Sequence, residues 1–272
     1  MFKSVLTWGP LQKKILELQG EEIRSRFNEI EKGILGALDF LKREANIKHY
    51  KMIPFPGLLV PLSAFFATNK TEGISYSSKQ KDIILKWFWR SLFTRRFSAG
   101  VNERQATDIA NMLGLKNDEN YDFKLPKNEI KFDFAKSNFS AGNANSKTHI
   151  LLLNSLTPLS LLSGATIDLN KVLKKASKHE YHHIFPKKHL EREGFARNEI
   201  NTLSNICFLT RADNNSIKDA APSVYGAKID SDRKNKYLQK ALIPGTFESL
   251  NYNDFIASRT ALLEQRAKDL MA

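Results

Sequence analysis

Over residues 21–44 the apolar positions Ile23, Phe27, Ile30, Ile34, Leu38 and Leu41 recur at steps of three and four, with charged residues between them. That period lays one apolar stripe along a helix and leaves a charged outer face. The following run, IPFPGLLVPLSAFFA, contains Pro54, Pro56 and Pro61, which keep it from being one continuous helix. Residues 79–97, KQKDIILKWFWRSLFTRRF, predict a helix in which the consecutive Trp87, Phe88 and Trp89 cannot share one face. A further helix is expected over 104–113, closed by Gly114.

Residues 117–147 are polar and rich in Asn, Lys, Ser and Gly, with alternating Ile130, Phe132 and Phe134; they read as a connection with one short extended piece. A leucine-rich helix over 149–162 leads through Ser163-Gly164 to DLNKVLKKASKHE at 168–180. Helices are also expected at 231–241 and, after the Pro244-Gly245 turn, at 253–271, where Phe255, Leu262, Leu263 and Leu270 are the inward candidates. No repeat period is present. The expected fold is mainly α, with a helical scaffold region over 1–147 and a second region over 148–272 that ends in a closing helix.

The pattern breaks at 180–222. EYHHIFPKKHL enters as a short strand ended by Pro186, and LSNICFLTRADNNSIKDAAP brings a second, apolar and β-prone strand over 203–211 whose polar residue is Asn205. Asp213 is suited to cap a short following helix, in which Asn215 and Asp219 lie four apart and so share a face. Neighbouring strand residues face opposite ways. His182 and His183 can therefore share a site only at a strand end, at a distortion or across an edge.

Composition sharpens this picture. The chain has 272 residues, 42 Lys plus Arg against 29 Asp plus Glu, and a formal charge of +13 with a pI near 9.7. Such a surplus suits a polyanionic partner, whose counterions are released on binding; it is equally what a merely basic protein carries. Trp87 and Trp89 beside Arg90, Arg95 and Arg96 could stack bases, although large aromatics more commonly form core. The lone Cys207 excludes a disulfide framework and a cysteine zinc site, and is expected to be a small buried hydrophobe. No apolar run reaches the ~18–20 residues a membrane helix needs, and the N-terminus lacks the pattern of a signal peptide. A cytoplasmic setting without a membrane partner is expected.

The words HHIFP and LSNICFLTRADNNSIKDAAPS resemble the HNH endonuclease superfamily, most closely the branch at the C-terminal end of GmrSD-type modification-dependent restriction and anti-phage proteins. Thr210 to Asn215 is also similar to a TRSDKN-like word in the HNH domain of CRISPR effector nucleases. The resemblance implies a ββα-metal element over roughly 179–222 inside the helical scaffold, and a metal-dependent endonuclease that nicks or cuts DNA in restriction or phage defence. It implies His182 as first metal ligand, His183 as general base, Asn205 as the residue orienting that base or its loop, and Asn215 as second ligand, with Asn214 its competitor. Asp219 stands near a third-ligand position. Lys218, with Lys187 and Arg211, would touch nucleic acid. One divalent ion is implied, Mg²⁺ or Mn²⁺ first, with Zn²⁺ or Ni²⁺ also compatible with nitrogen and oxygen donors. His179 and His189 flank the motif without a matched role and are expected to be solvated.

The chain departs from the family in lacking an N-terminal ParB-like, nucleotide-using domain and a DGQQR-like word. A longer chain or a partner protein would have to supply that nucleotide-using or sensing domain. The alternative reading is a non-catalytic DNA- or RNA-binding module with a metal-stabilised finger. An interaction scaffold with a degenerate site is disfavoured by the intact histidines and asparagines.

Overall fold

The stripe over 21–44 folds as two helices, Gly20–Ser25 and Phe27–Glu44 (α1), in the computed structural model, which describes residues 20–169 and 181–272. The buried face of α1 is Ile30, Gly33, Ala37, Phe40 and Leu41, while Phe27 and Leu35 are exposed. It is thus rotated from the expected stripe, and the glycines explain why. Helix Leu59–Phe66 (α2), all eight residues of which are buried, lies so close that a Cβ on Gly33 would come within 2.6 Å of the Ser63 carbonyl oxygen. A Cβ on Gly36 would come within 2.7 Å of Phe66 Cβ. Gly33 therefore meets neighbouring backbone and Gly36 the Phe66 side chain. Pro56 starts a 3-10 turn and Pro61 falls in the first turn of α2, where the missing N–H has no helical acceptor.

Helix Ser78–Phe93 (α3) begins with a capping box between Ser77 and Gln80. Trp87, Phe88 and Trp89 are all buried, so the aromatic helix is core and its tryptophans are withdrawn from any base-stacking surface. Trp87 Nε1 donates to Asp108 Oδ2 at 3.0 Å, and the Arg96 fork grips the same carboxylate at 2.7 and 2.8 Å. Burial raises the Asp108 pKa against the lowering effect of Arg96. Helix Val101–Asn117 (α4) runs through Gly114 instead of ending there; the glycine makes room for the Tyr121 ring, into which a Cβ would collide.

The described residues are mainly helical, with 57% helix and 4% strand. They form two compact units, one ending at Lys131 and including Leu270–Ala272, the other Phe132–Asp269. The division falls earlier than the expected 147/148 boundary because residues 134–139 are hydrogen-bonded to 201–204 within the second unit. No strand forms around Phe132; the chain instead makes an isolated antiparallel bridge, Asn138 to Thr202.

The second unit contains helix Ala144–Asn154 (α5), strand Tyr181–His183 (β1), helix Lys187–Arg192 (α6), strand Ile206–Phe208 (β2), helix Arg211–Ile217 (α7) and, up to Asp269, the long helix Tyr252–Met271 (α8). β1 and β2 pair antiparallel, Tyr181 with Phe208, His182 with Cys207 and His183 with Ile206. The second strand is shorter than expected because residues 203–205 coil into a 3-10 turn before it. On α8, Phe255 and Leu263 are fully buried and Leu262 is exposed. Arg259 shares their face and is also fully buried, its guanidinium donating to the carbonyls of Ser204, Ala241 and Leu242. Burial lowers its pKa to about 10. Among the described residues no helix is long and apolar enough to cross a membrane. His179 lies outside the described residues.

Candidate functional site

The short ribbon presents its two histidines to different neighbourhoods. His182 and its cross-strand partner Cys207 share the face turned to α7 and Tyr225, whose ring meets the imidazole edge-on at 6.1 Å. Tyr181 and His183 share the opposite face with Phe139 and Asn201. The alternation is that of a regular strand, so the imidazoles are not brought together side by side.

Each imidazole is held by a carboxamide. His182 Nδ1 lies 2.9 Å from Asn214 Oδ1, while its Nε2 is buried without a hydrogen-bond partner. An amide oxygen only accepts, so Nδ1 carries the proton and Nε2 keeps its lone pair. Burial pushes the His182 pKa down to about 4, so the ring is neutral at pH 7. His183 Nε2 lies 3.2 Å from Asn201 Oδ1, and burial again lowers its pKa. His183 is half-buried, and its Nδ1 makes no hydrogen bond among the described residues.

Asn205 is fully buried and makes no hydrogen bond to either histidine. Its Oδ1 accepts from Phe185 N at 2.9 Å, and its Nδ2 donates to the carbonyls of Phe185 at 3.1 Å and Ile200 at 3.0 Å. It thereby fixes the peptide two residues after His183 and the path of the chain towards Pro186. The turn carrying Asn201 and Asn205 is held from behind. Phe139 N donates to Asn201 O, Leu203 N to Ser137 O and Ser204 N to Phe134 O, all within 2.8–3.0 Å. From α8, Thr260 pairs with Ser204, and Tyr252 donates to Glu199 O at 2.7 Å.

Helix α7 is capped by Thr210, whose hydroxyl accepts from Asp213 N. Asp213 is not the cap. Its buried carboxylate takes hydrogen bonds from Ser160 Oγ, Ser163 Oγ and the amides of Leu162 and Ser163, anchoring α7 to the preceding loop. Burial would raise its pKa, but these donors outweigh that and hold it below the usual carboxylate value.

Asn215 is exposed on α7, and the carboxamide that meets His182 is that of Asn214. Asp219 is exposed and pairs with Lys188 at 3.0 Å. Lys187, Arg211 and Lys218 are exposed, Lys187 pairing with Glu191 at 3.3 Å. His189 is half-buried and lies 3.2 Å from Glu193. Cys207 is buried as expected, its thiol pKa pushed up to about 12 by desolvation. Asn201 and the 134–139 segment carry no periodic or motif signal linking them to the histidines; only chain folding reveals them.

The donor set limits what ion fits. Among the described residues no group of three or more His, Cys, Asp or Glu side chains converges, so a closed zinc site of the structural kind is not formed. A buried imidazole with one nitrogen anchored to an amide oxygen and the other bare is nevertheless how a metal-bound histidine is prepared. Of these residues, His182 offers one bare ring nitrogen, and that nitrogen is buried.

No family model matches the chain, and no solved structure matches it. It is similar to an uncharacterized protein of Methanocaldococcus jannaschii, 24% identical over 204 residues, which cover 72% of this chain and 32% of that protein. The chain thus corresponds to about a third of the length of that relative.

Proposed function

We propose that the chain is a metal-dependent endonuclease of the HNH type, hydrolysing DNA phosphodiester bonds with the β1–β2 ribbon and α7 as its ββα element. The observation that carries this reading is the pair of neighbouring, neutral imidazoles, each anchored at one nitrogen by a carboxamide and bare at the other. His182, with a carboxamide of Asn214 or Asn215, would hold the ion. A divalent cation at such a site supplies charge neutralisation for the phosphate and the leaving oxygen.

His183 acts as general base. Its lowered pKa keeps it unprotonated at neutral pH, and its half-exposed position lets water reach it. Asn205 keeps the peptide after the histidines in place, and the exposed Lys187, Arg211 and Lys218 would bind the phosphate backbone. The net charge of +13 supports a nucleic-acid partner. A role in restriction or phage defence, with a sensing domain elsewhere, rests on the family resemblance.

The test is conversion of supercoiled plasmid in Mg²⁺ or Mn²⁺, with an EDTA control and His183→Ala. Metal-dependent nicks that fall by roughly 10² or more in the variant, with DNA binding retained, are expected. Absence of cleavage in both metals would refute the reading. A second reading, a non-cleaving DNA- or RNA-binding module with a metal-stabilised finger, is favoured by the exposure of Asn215 and Asp219, neither of which is hydrogen-bonded to His182. A mobility shift without nicking in either metal would establish it.

A further inference from the structure

The residue that faces the proposed base is one that the motif does not include. We infer that Asn201 is a positioning residue that sets the tautomer of His183, making Nδ1 the nitrogen that takes the proton from the attacking water. This rests on the endonuclease reading of the same site.

The chemistry follows from two contacts of one carboxamide. Asn201 Nδ2 donates to Phe139 O at 2.9 Å. A carbonyl oxygen only accepts, so that end of the amide must be the NH₂ group, and the opposite end, facing His183 Nε2 at 3.2 Å, must be oxygen. Nε2 is then obliged to carry the hydrogen. In a neutral imidazole this leaves the lone pair on Nδ1, the nitrogen without a hydrogen bond among the described residues.

The amide cannot readily turn over, because its own backbone is locked to the same strap. Phe139 N donates to Asn201 O at 2.8 Å, so Phe139 and Asn201 exchange a backbone and a side-chain hydrogen bond. Asn201 N is bonded in turn to Arg197 O at 3.1 Å, closing the short helix Arg197–Ile200. The Phe139 ring packs against Tyr181 at 5.1 Å, on the ribbon face that carries His183. A polar segment between the helical elements thus becomes the support of the base. His182 is held the opposite way, with Nδ1 protonated by contact with Asn214. The two adjacent imidazoles therefore present different nitrogens, one buried for an ion and one open to water.

In the proposed step the water gives a proton to Nδ1, its O–H electron pair forms the new bond to phosphorus, and the P–O bond to the leaving oxygen breaks. The leaving alkoxide takes a proton from solvent.

The decisive experiment is ¹⁵N-histidine labelling with long-range ¹H–¹⁵N correlation spectra on the full chain, at a pH well above the ordinary imidazole value of about 6.5. His183→Gln identifies the His183 signals by their loss. The wild type should show a protonated Nε2 and a bare Nδ1; a protonated Nδ1 overturns the inference, whether or not the protein cuts DNA. Asn201→Ala should mix the two tautomers and lower kcat about tenfold or more with KM little changed, since a positioned base contributes roughly 10²–10⁴. Asn201→Asp keeps an acceptor oxygen towards Nε2 and should keep the wild-type tautomer, while losing the donor to Phe139 O and with it part of the stability and rate. An Asn201→Ala protein with unaltered tautomer and kcat also overturns the inference. If Asn201→Ala fails to fold, the wild-type spectrum and Asn201→Asp still decide. Failure of wild-type cleavage with the expected tautomer present would count against the nuclease reading alone.

Discussion

Replacing Asn205 with alanine removes a side chain that is fully buried and makes three hydrogen bonds to the backbone. The variant leaves Phe185 N–H without the carboxamide oxygen and the carbonyls of Phe185 and Ile200 without its NH₂. Each lost bond costs about 1 kcal/mol net when water can replace it and up to about 3 kcal/mol when the orphaned group stays dry. The Ile200 carbonyl has a long contact from the Tyr252 hydroxyl at 3.5 Å and loses least. The Phe185 groups lie in the second unit's core, where water has poor access. A destabilisation of about 3–5 kcal/mol is expected. Urea unfolding followed by near-ultraviolet circular dichroism measures it, read as a shift of the second unit's transition with unchanged slope. Hydrogen exchange at the Phe185 amide should accelerate in step. A loss below about 1 kcal/mol with Phe185 still protected would refute this account of the turn.

Acid should weaken the fold through His149 and His182, whose pKa values burial lowers to about 3 and about 4. The unfolded chain binds these protons near pH 6.5 and the folded chain does not, so stability falls as pH drops from about 6.5 towards those values. His149→Phe should flatten that limb of a pH–stability curve, and an unchanged slope would contradict it. Asp213 has the opposite shift, so its contribution is present above the usual carboxylate value and lost as pH falls through its folded pKa. The stability gap between wild type and Asp213→Asn should therefore be wide at neutral pH and narrow in acid, as thermal melts across pH would record. In the first unit, Gly33→Ala should cost about 1–3 kcal/mol by overpacking against Ser63, seen as a lower unfolding midpoint, while the His183 imidazole signals stay unchanged.

Helix content was legible wherever an apolar period and a cap coincide, as in Ser78–Phe93, where Ser77 and Gln80 begin the helix and Trp87 to Trp89 end in the core. Phase was less legible. α1 turns its glycines inward because contact distance to α2, which no periodic count contains, selects small residues over Phe27. Gly114, a plausible terminator by type, is a space-maker inside α4 for the same reason.

At the site, residue types alone mark two histidines, a following proline and a cluster of asparagines as flanking a ribbon, because they interrupt helical periodicity locally. Which asparagine meets which ring follows from the folded chain. Asn214 rather than Asn215 reaches His182, since a helical step of one residue turns the side chain by about 100°. Asn201 reaches His183 because the 134–139 strap and α8 press its turn against the strand. Pairings between residues far apart in the chain depend on backbone paths through space, and spacing along the sequence does not encode them.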